Sequence, residues 1–248
     1  MTTARGGVVY LVGAGPGDPE LVTRKAAALL ATADVVLHDD LVPQAILDLA
    51  SRDRGDRLAH VVSVGKRCNA RQITQQEINS LMIEHARRGR SVVRLKSGDP
   101  LIFGRAAEEI DALREAGVAC EVVPGITAMF AAAAAVGKSL TDRRSASKVI
   151  LTTAHHVSDA TGRDRLSFWS GPLPADATLG IYMPGRDPST LAGDMLAAGM
   201  APELPCLAVS QVSLPEQRID ATSLGHLSKL KPGPAPLLVL AGWPLGDR

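Results

Sequence analysis

Several short segments of this 248-residue chain place small residues and acids directly after apolar runs. The most pronounced is Val92-Val93-Arg94-Leu95, which leads into Lys96-Ser97-Gly98-Asp99-Pro100. Ser97 and Gly98 let a ligand come close to the backbone, and Asp99 can accept hydrogen bonds from hydroxyl or ammonium groups. The bland alternative is a β-turn with Asp99-Pro100 as turn formers. His38-Asp39-Asp40 sets two acids at another strand end, where an acid otherwise serves as a helix cap or a solvated turn. Val122–Ala128, through Pro124-Gly125, offers backbone N–H groups at a helix start. Gly13–Asp18 follows a strand but reads GxGPGD, so the dinucleotide fingerprint fails at its third glycine. Asp18 would put negative charge where a dinucleotide phosphate sits. The turn therefore suits a different ligand, or is simply a tight connection.

The elements around these loops alternate. Strands are expected at Val8–Val12, Asp34–His38, Val61–Val64, Ser91–Leu95 and Ala119–Val123, with helices near Glu20–Ala31, Pro43–Ala50, Thr74–Arg88, Gly104–Ala116 and Ile126–Val136. Thr74 and Glu77 form a capping box, Ile78, Leu81, Met82 and His85 share a face, and Gly89 stands where a helix-ending glycine belongs. Such alternation predicts a largely parallel sheet with helices on its faces. Ligands in such sheets gather beyond the carboxyl ends of the strands, which is where the acids and small residues fall.

The composition shifts to polar and basic at Lys138–Lys148, and to Gly, Pro, Ser and charge over 157–177. Strands near Lys148–Thr153, Thr178–Met183, Cys206–Val212 and Leu237–Ala241 then alternate with helices near Pro188–Ala198 and Ser223–Leu230. Two α/β domains are expected, residues 1–140 and 141–248.

Composition narrows the function classes. Apolar residues make up 46% of the chain and formal net charge is +1, which gives no reason to expect nucleic acid or an anionic membrane as partner. Cys68, Cys120 and Cys206 form no CxxC pair, so neither a disulfide framework nor a cysteine zinc site is expected, and a reducing cytoplasm is the easier setting. No metal is expected; His155-His156 lacks a carboxylate or Cys at a familiar ligand spacing. The amino-terminal run is a poor signal peptide, and no apolar stretch has the length of a membrane span.

Taken together the motifs become recognisable. The run GAGPGDPEL, the DDLV after the second strand, VGKR at Val64–Arg67, QEIN at Gln76–Asn79, VVRLKSGDPLIFGR at Val92–Arg105, the acids Glu108-Glu109 and VPGITA at Val123–Ala128 occur in one order. With Leu140–Arg143, His155, Tyr182-Met183 and the final PLLVLAG, they closely resemble the uroporphyrinogen-III C-methyltransferases of the tetrapyrrole methyltransferase family.

The resemblance implies S-adenosylmethionine, and S-adenosylhomocysteine as product, in a cleft between two α/β domains. It implies methylation of uroporphyrinogen III at C-2 and C-7, giving precorrin-2 for sirohaem, cobalamin or haem d1, by a cytoplasmic homodimer. Cofactor contacts would fall on Pro16, Ser97, Gly98, Asp99, Ile102, Thr127, Ala128, Met183 and Val212. Asp39 and Lys66 match a proton acceptor and a proton donor, and Arg105 and Glu108 match positions implicated in substrate handling or deprotonation. Arg67, Arg105 and Arg143 would grip substrate carboxylates, since guanidinium pairs with carboxylate bidentately, and His155 would add a substrate contact.

Two acids depart from the pattern: Asp40 and Asp142 stand where relatives carry a cation or an imidazole. They keep open a methyltransferase of the same fold acting on a later corrin precursor or another acceptor, and a non-catalytic cofactor-binding protein.

Overall fold

A computed structural model describes residues 2–51, 59–65, 73–154, 174–185 and 187–246. The chain divides into two compact units, 1–127 and 128–248.

The first unit carries strands β1 (Val8–Gly13), β2 (Val35–His38), β3 (His60–Ser63), β4 (Val92–Lys96) and β5 (Ala119–Val123). They form one sheet in the order β3-β2-β4-β1-β5, parallel throughout. Its helices are α1 (Arg24–Thr32), α2 (Gln44–Leu47), α3 (Gln75–Arg87) and α4 (Ala106–Glu115). Strand alternation sorts the core into two layers. Tyr10, Val12, Val36, Val93 and Leu95 pack with Leu29 and Leu30 of α1 and Ile46 of α2. Val9, Leu11, Val35, Leu37 and Val92 pack with Ile78 and Met82 of α3 and Ala106 and Leu113 of α4. Both faces of the sheet are therefore covered, as the parallel arrangement demands.

Local sequence explains most of the boundaries. The capping box on α3 forms as the Thr74 and Glu77 spacing predicts. The helix expected from Glu20 splits in two. Asp18 caps a single 3₁₀ turn, Pro19–Leu21, and Thr23 caps α1 a few residues on. Asp18 thus spends a carboxylate oxygen on Glu20 N, 2.8 Å away.

The second unit has α5 (Ala128–Val136), β6 (Lys148–Thr153), β7 (Ala177–Tyr182), α6 (Pro188–Ala197), β8 (Pro205–Ser210), β9 (Arg218–Ser223), α7 (Leu224–Leu227) and β10 (Leu237–Ala241). The sheet runs β6-β7-β10-β8-β9, with β6 and β7 parallel and the other pairs antiparallel. Strand β9, absent from the sequence-based expectation, is an edge strand with no buried side chain. Helix α5 belongs with this unit: Met129 lies over Gly180 of β7, where any Cβ would overlap it, and Met129 N donates to Tyr182 Oη at 3.1 Å.

Candidate active site

In the first unit the loops after β1 and β4 are locked backbone to backbone, and the loop after β5 packs against them. Gly98 N donates to Gly15 O at 2.8 Å and Gly15 N to Gly98 O at 3.2 Å, while Ala14 N reaches Lys96 O at 2.8 Å. A Cβ on Gly13 would lie 2.6 Å from the Gly125 Cα and 2.7 Å from Gly98 O, so that close approach requires glycine. Asp99 ties the loops together: its Oδ1 accepts from Leu101 N at 2.8 Å and its Oδ2 from Gly125 N at 3.0 Å. The acid read from sequence as a ligand contact is first of all a clasp between two loops.

Along this edge Pro16, Ser97, Gly98, Asp99 and Ile102 are partly buried, and Thr127 is buried. Gly98 has φ 69°, and a Cβ there would meet only the Thr127 Cα, at 3.9 Å. The loop from Pro100 to Arg105 leaves Leu101 and Phe103 exposed and holds Phe103 and Arg105 at φ 53° and 57°. Positive φ in side-chain-bearing residues is sparsely populated and gathers at functional sites. It also delays α4, expected from Gly104, to Ala106.

Two charged groupings sit here. Arg105 grips Glu108 with both prongs, Nε to Oε1 and Nη2 to Oε2 at 2.7 Å each. That hydrogen bonding holds the Glu108 carboxyl below its ordinary range. Asp39, just beyond β2, gives one oxygen, Oδ1, to Arg94 Nη2. Its Oδ2 has no partner among the described residues, and the side chain is 32% exposed.

Behind Asp39 lies a buried network that sequence reasoning missed. Arg94 Nε donates to Glu109 Oε1 at 3.0 Å, and Lys96 Nζ to Glu109 Oε2 at 2.8 Å. Gln75 Nε2 adds a bond to Glu109 Oε1 at 3.2 Å. Burial, then the neighbouring Arg94, lowers the Lys96 ammonium's pKa, with Glu109 opposing the shift. The signal lay in the alternation. Val92, Arg94 and Lys96 share one face of β4, and Ala106, Glu109 and Leu113 share the buried stripe of α4.

The two acids that depart from the family pattern have local partners. Asp40 lies against Gly65, where a Cβ would overlap its carboxylate. Asp142 accepts from Arg144 N at 2.8 Å and pairs with the Arg144 guanidinium at 3.2 Å. These contacts hold its carboxyl below the ordinary range.

In the second unit, β6, β7 and β8 run in one direction, so their carboxyl ends share an edge. Met183 follows β7 there, 49% exposed with φ 50°, and buried Val212 follows β8, flanked by Gln211 and Ser213 at φ 49° and 63°. Ala128 begins α5. Arg143 is exposed with no partner among the described residues. Lys66, Arg67 and His155 lie outside the described residues.

Among known proteins, the siroheme synthase of Hahella chejuensis is 42% identical over 239 residues, which are 95% of this chain and 49% of that protein. The chain thus spans about half the length of such relatives. The uroporphyrinogen-III C-methyltransferase of Paracoccus denitrificans is 42% identical over 242 residues, covering 95% of this chain and 80% of the relative. Among solved structures, the uroporphyrin-III C-methyltransferase of Thermus thermophilus, complexed with S-adenosylhomocysteine, superposes with a TM-score of 0.77 at 36% identity, covering 94% of this chain and 91% of that one. The family model for tetrapyrrole (corrin/porphyrin) methylases matches residues 8–228. By that match over most of its length, and by the identities beside it, the chain belongs to the tetrapyrrole methylase family.

Proposed function

We propose that the chain is an S-adenosylmethionine-dependent C-methyltransferase that methylates uroporphyrinogen III at C-2 and C-7 in turn, giving precorrin-2 via precorrin-1. The observation that carries this reading is Asp39: a carboxylate at a strand end, anchored through Oδ1, with no partner on Oδ2 among the described residues, on the edge that bears the glycine loops. The family match and the relatives' names supply its context.

The residues fit an adenosyl sulfonium. Gly98 has open space before it, Ser97 and Pro16 are small and partly exposed, and Asp99 holds the loops in place from both carboxylate oxygens. In this reading, which follows the family resemblance, the cofactor contacts are Pro16, Ser97, Gly98, Asp99, Ile102 and Thr127 in the first unit and Ala128, Met183 and Val212 in the second. Bound there, S-adenosylmethionine supplies an electrophilic methyl group. The chain's task is to hold the reduced pyrrole in line with it and to exclude water.

Attack by a pyrrole carbon leaves a proton that must depart to restore conjugation, and Asp39 Oδ2 accepts it. Asp39 serves better than Glu108, both of whose oxygens are engaged by Arg105 and whose carboxyl is held at low pKa. Arg105 keeps its bidentate hold on Glu108 through Nε and Nη2 and offers its remaining N–H groups as an anchor for a substrate carboxylate. Leu101 and Phe103 give an apolar surface for the macrocycle. Lys66 as proton donor, and Arg67, Arg143 and His155 as further substrate contacts, complete the assignment. The same resemblance implies a cytoplasmic protein and a homodimer, and light scattering on the purified protein checks the dimer.

The test is incubation of purified protein with S-adenosylmethionine and anaerobically generated uroporphyrinogen III. A product with two added methyl groups is expected. No product, where a control enzyme works, sinks the reading.

A further inference from the structure

We infer that Arg94 and Glu109 are positioning residues, which fix the catalytic Asp39 from inside the core; this rests on the reading of Asp39 as the base. Arg94 is 3% exposed and spends its donors in four directions. Nε goes to Glu109, Nη1 to the carbonyls of Leu95 at 3.2 Å and Leu37 at 3.4 Å, and Nη2 to Asp39. Glu109, with no exposed surface, accepts from Arg94 and Gln75 on one oxygen and from Lys96 on the other.

Two cations and two carboxylates thus form one chain, Lys96–Glu109–Arg94–Asp39, with its formal charges balanced. Three of its members are sealed in the core, and Asp39 alone reaches solvent. A buried ionic cluster adds little to stability that well-packed apolar residues would not match, and each added ion carries a desolvation cost. Stability therefore does not account for its presence between β4 and α4. Its geometry does have a directed consequence. A guanidinium held on three sides cannot turn, so Asp39 Oδ1 is pinned, and Oδ2, without a partner among the described residues, is left to take a proton. Only the planar fork of arginine can span Glu109 and Asp39 at once; a lysine keeps the charge and loses the bridge.

The test is a double-mutant cycle on methyl transfer, read at saturating substrates. Arg94→Lys should lower kcat about a hundredfold, the scale on which misplaced catalytic groups act, while the affinity for S-adenosylhomocysteine stays at the native value. Asp39→Asn should lower kcat by about two to four orders of magnitude. The double variant should be no slower than Asp39→Asn alone, because Arg94 acts through Asp39. Glu109→Gln, nearly isosteric, should behave as Arg94→Lys does in both backgrounds and decides the matter if Arg94→Lys does not fold.

A slow Asp39→Asn with effects of Arg94→Lys and Glu109→Gln that multiply onto it would overturn the positioning role and leave the base in place. Native kcat in Arg94→Lys and Glu109→Gln beside a slow Asp39→Asn would do the same. Native kcat in Asp39→Asn would overturn the base assignment and the positioning role together.

Discussion

At the carboxyl edge of the first sheet, the loops bond to one another: Gly15 with Gly98, Asp99 with Gly125, Ala14 with Lys96. At the corresponding edge of the second sheet, the turns after β7 and β8 hold side-chain-bearing residues in the left-handed region at Met183, Gln211 and Ser213, as the first unit also does at Phe103 and Arg105. The first edge is made rigid by mutual hydrogen bonds and close glycine packing, and the Asp39 carboxylate there is fixed from beneath by Arg94. Both carry local backbone strain at these left-handed residues, on the order of 1–3 kcal/mol per position, which the surrounding sheets must offset. In the proposed enzyme the clasped first edge carries the base together with most of the cofactor contacts.

Substitutions can break this comparison. The largest expected effect short of the base itself is at Asp99. Asp99→Ala removes two hydrogen bonds to a charged acceptor and should weaken S-adenosylhomocysteine binding by about 3 kcal/mol, or about a hundredfold. Calorimetric titration measures it, and unchanged affinity would mean that the clasp does not shape the site. Next is Gly125→Ala, whose Cβ would overlap Gly98 O. Overpacking of this kind should cost about 1–3 kcal/mol in urea unfolding; native stability would show that the loops are looser than their geometry.

In the second unit, Met183→Gly should relieve about 1 kcal/mol of backbone strain while reducing cofactor affinity. A higher melting temperature with full affinity would separate that strain from function. The smallest effect concerns one thiol in each unit. Burial raises Cys120 to about 11 and Cys206 to about 12. Both should stay unmodified by a thiol reagent at pH 8 in the folded protein, since the thiolate is the reactive form. Peptide mapping that finds either one rapidly labelled would contradict the packing around it.

The strand-end loops, the alternation of the first unit and the capped helix α3 were legible because short-range rules govern them. The details that escaped depend on distant partners. Arg94 sits in an apolar run and reads as one polar residue on a half-covered strand until α4 covers that face and brings Glu109 to it. Glu108 and Glu109 look equivalent in sequence, yet one is exposed and paired with Arg105 while the other is sealed in the core. Strand β9 escaped because an edge strand with no buried side chain lacks the apolar pattern that marks a core strand. The composition change at Lys138–Lys148 lies beyond α5, whereas the compact units divide before it, because the side chain of Met129 over Gly180 ties that helix to the second sheet.

The most direct test of the central claim is anaerobic turnover of uroporphyrinogen III with methyl-labelled S-adenosylmethionine, native protein beside Asp39→Asn, read by mass spectrometry. The account predicts two labelled methyl groups per macrocycle from the native chain, and a rate lower by about two to four orders of magnitude from the variant, the usual worth of a general base. Equal rates from the two proteins, or no label in the macrocycle from the native chain, would contradict it.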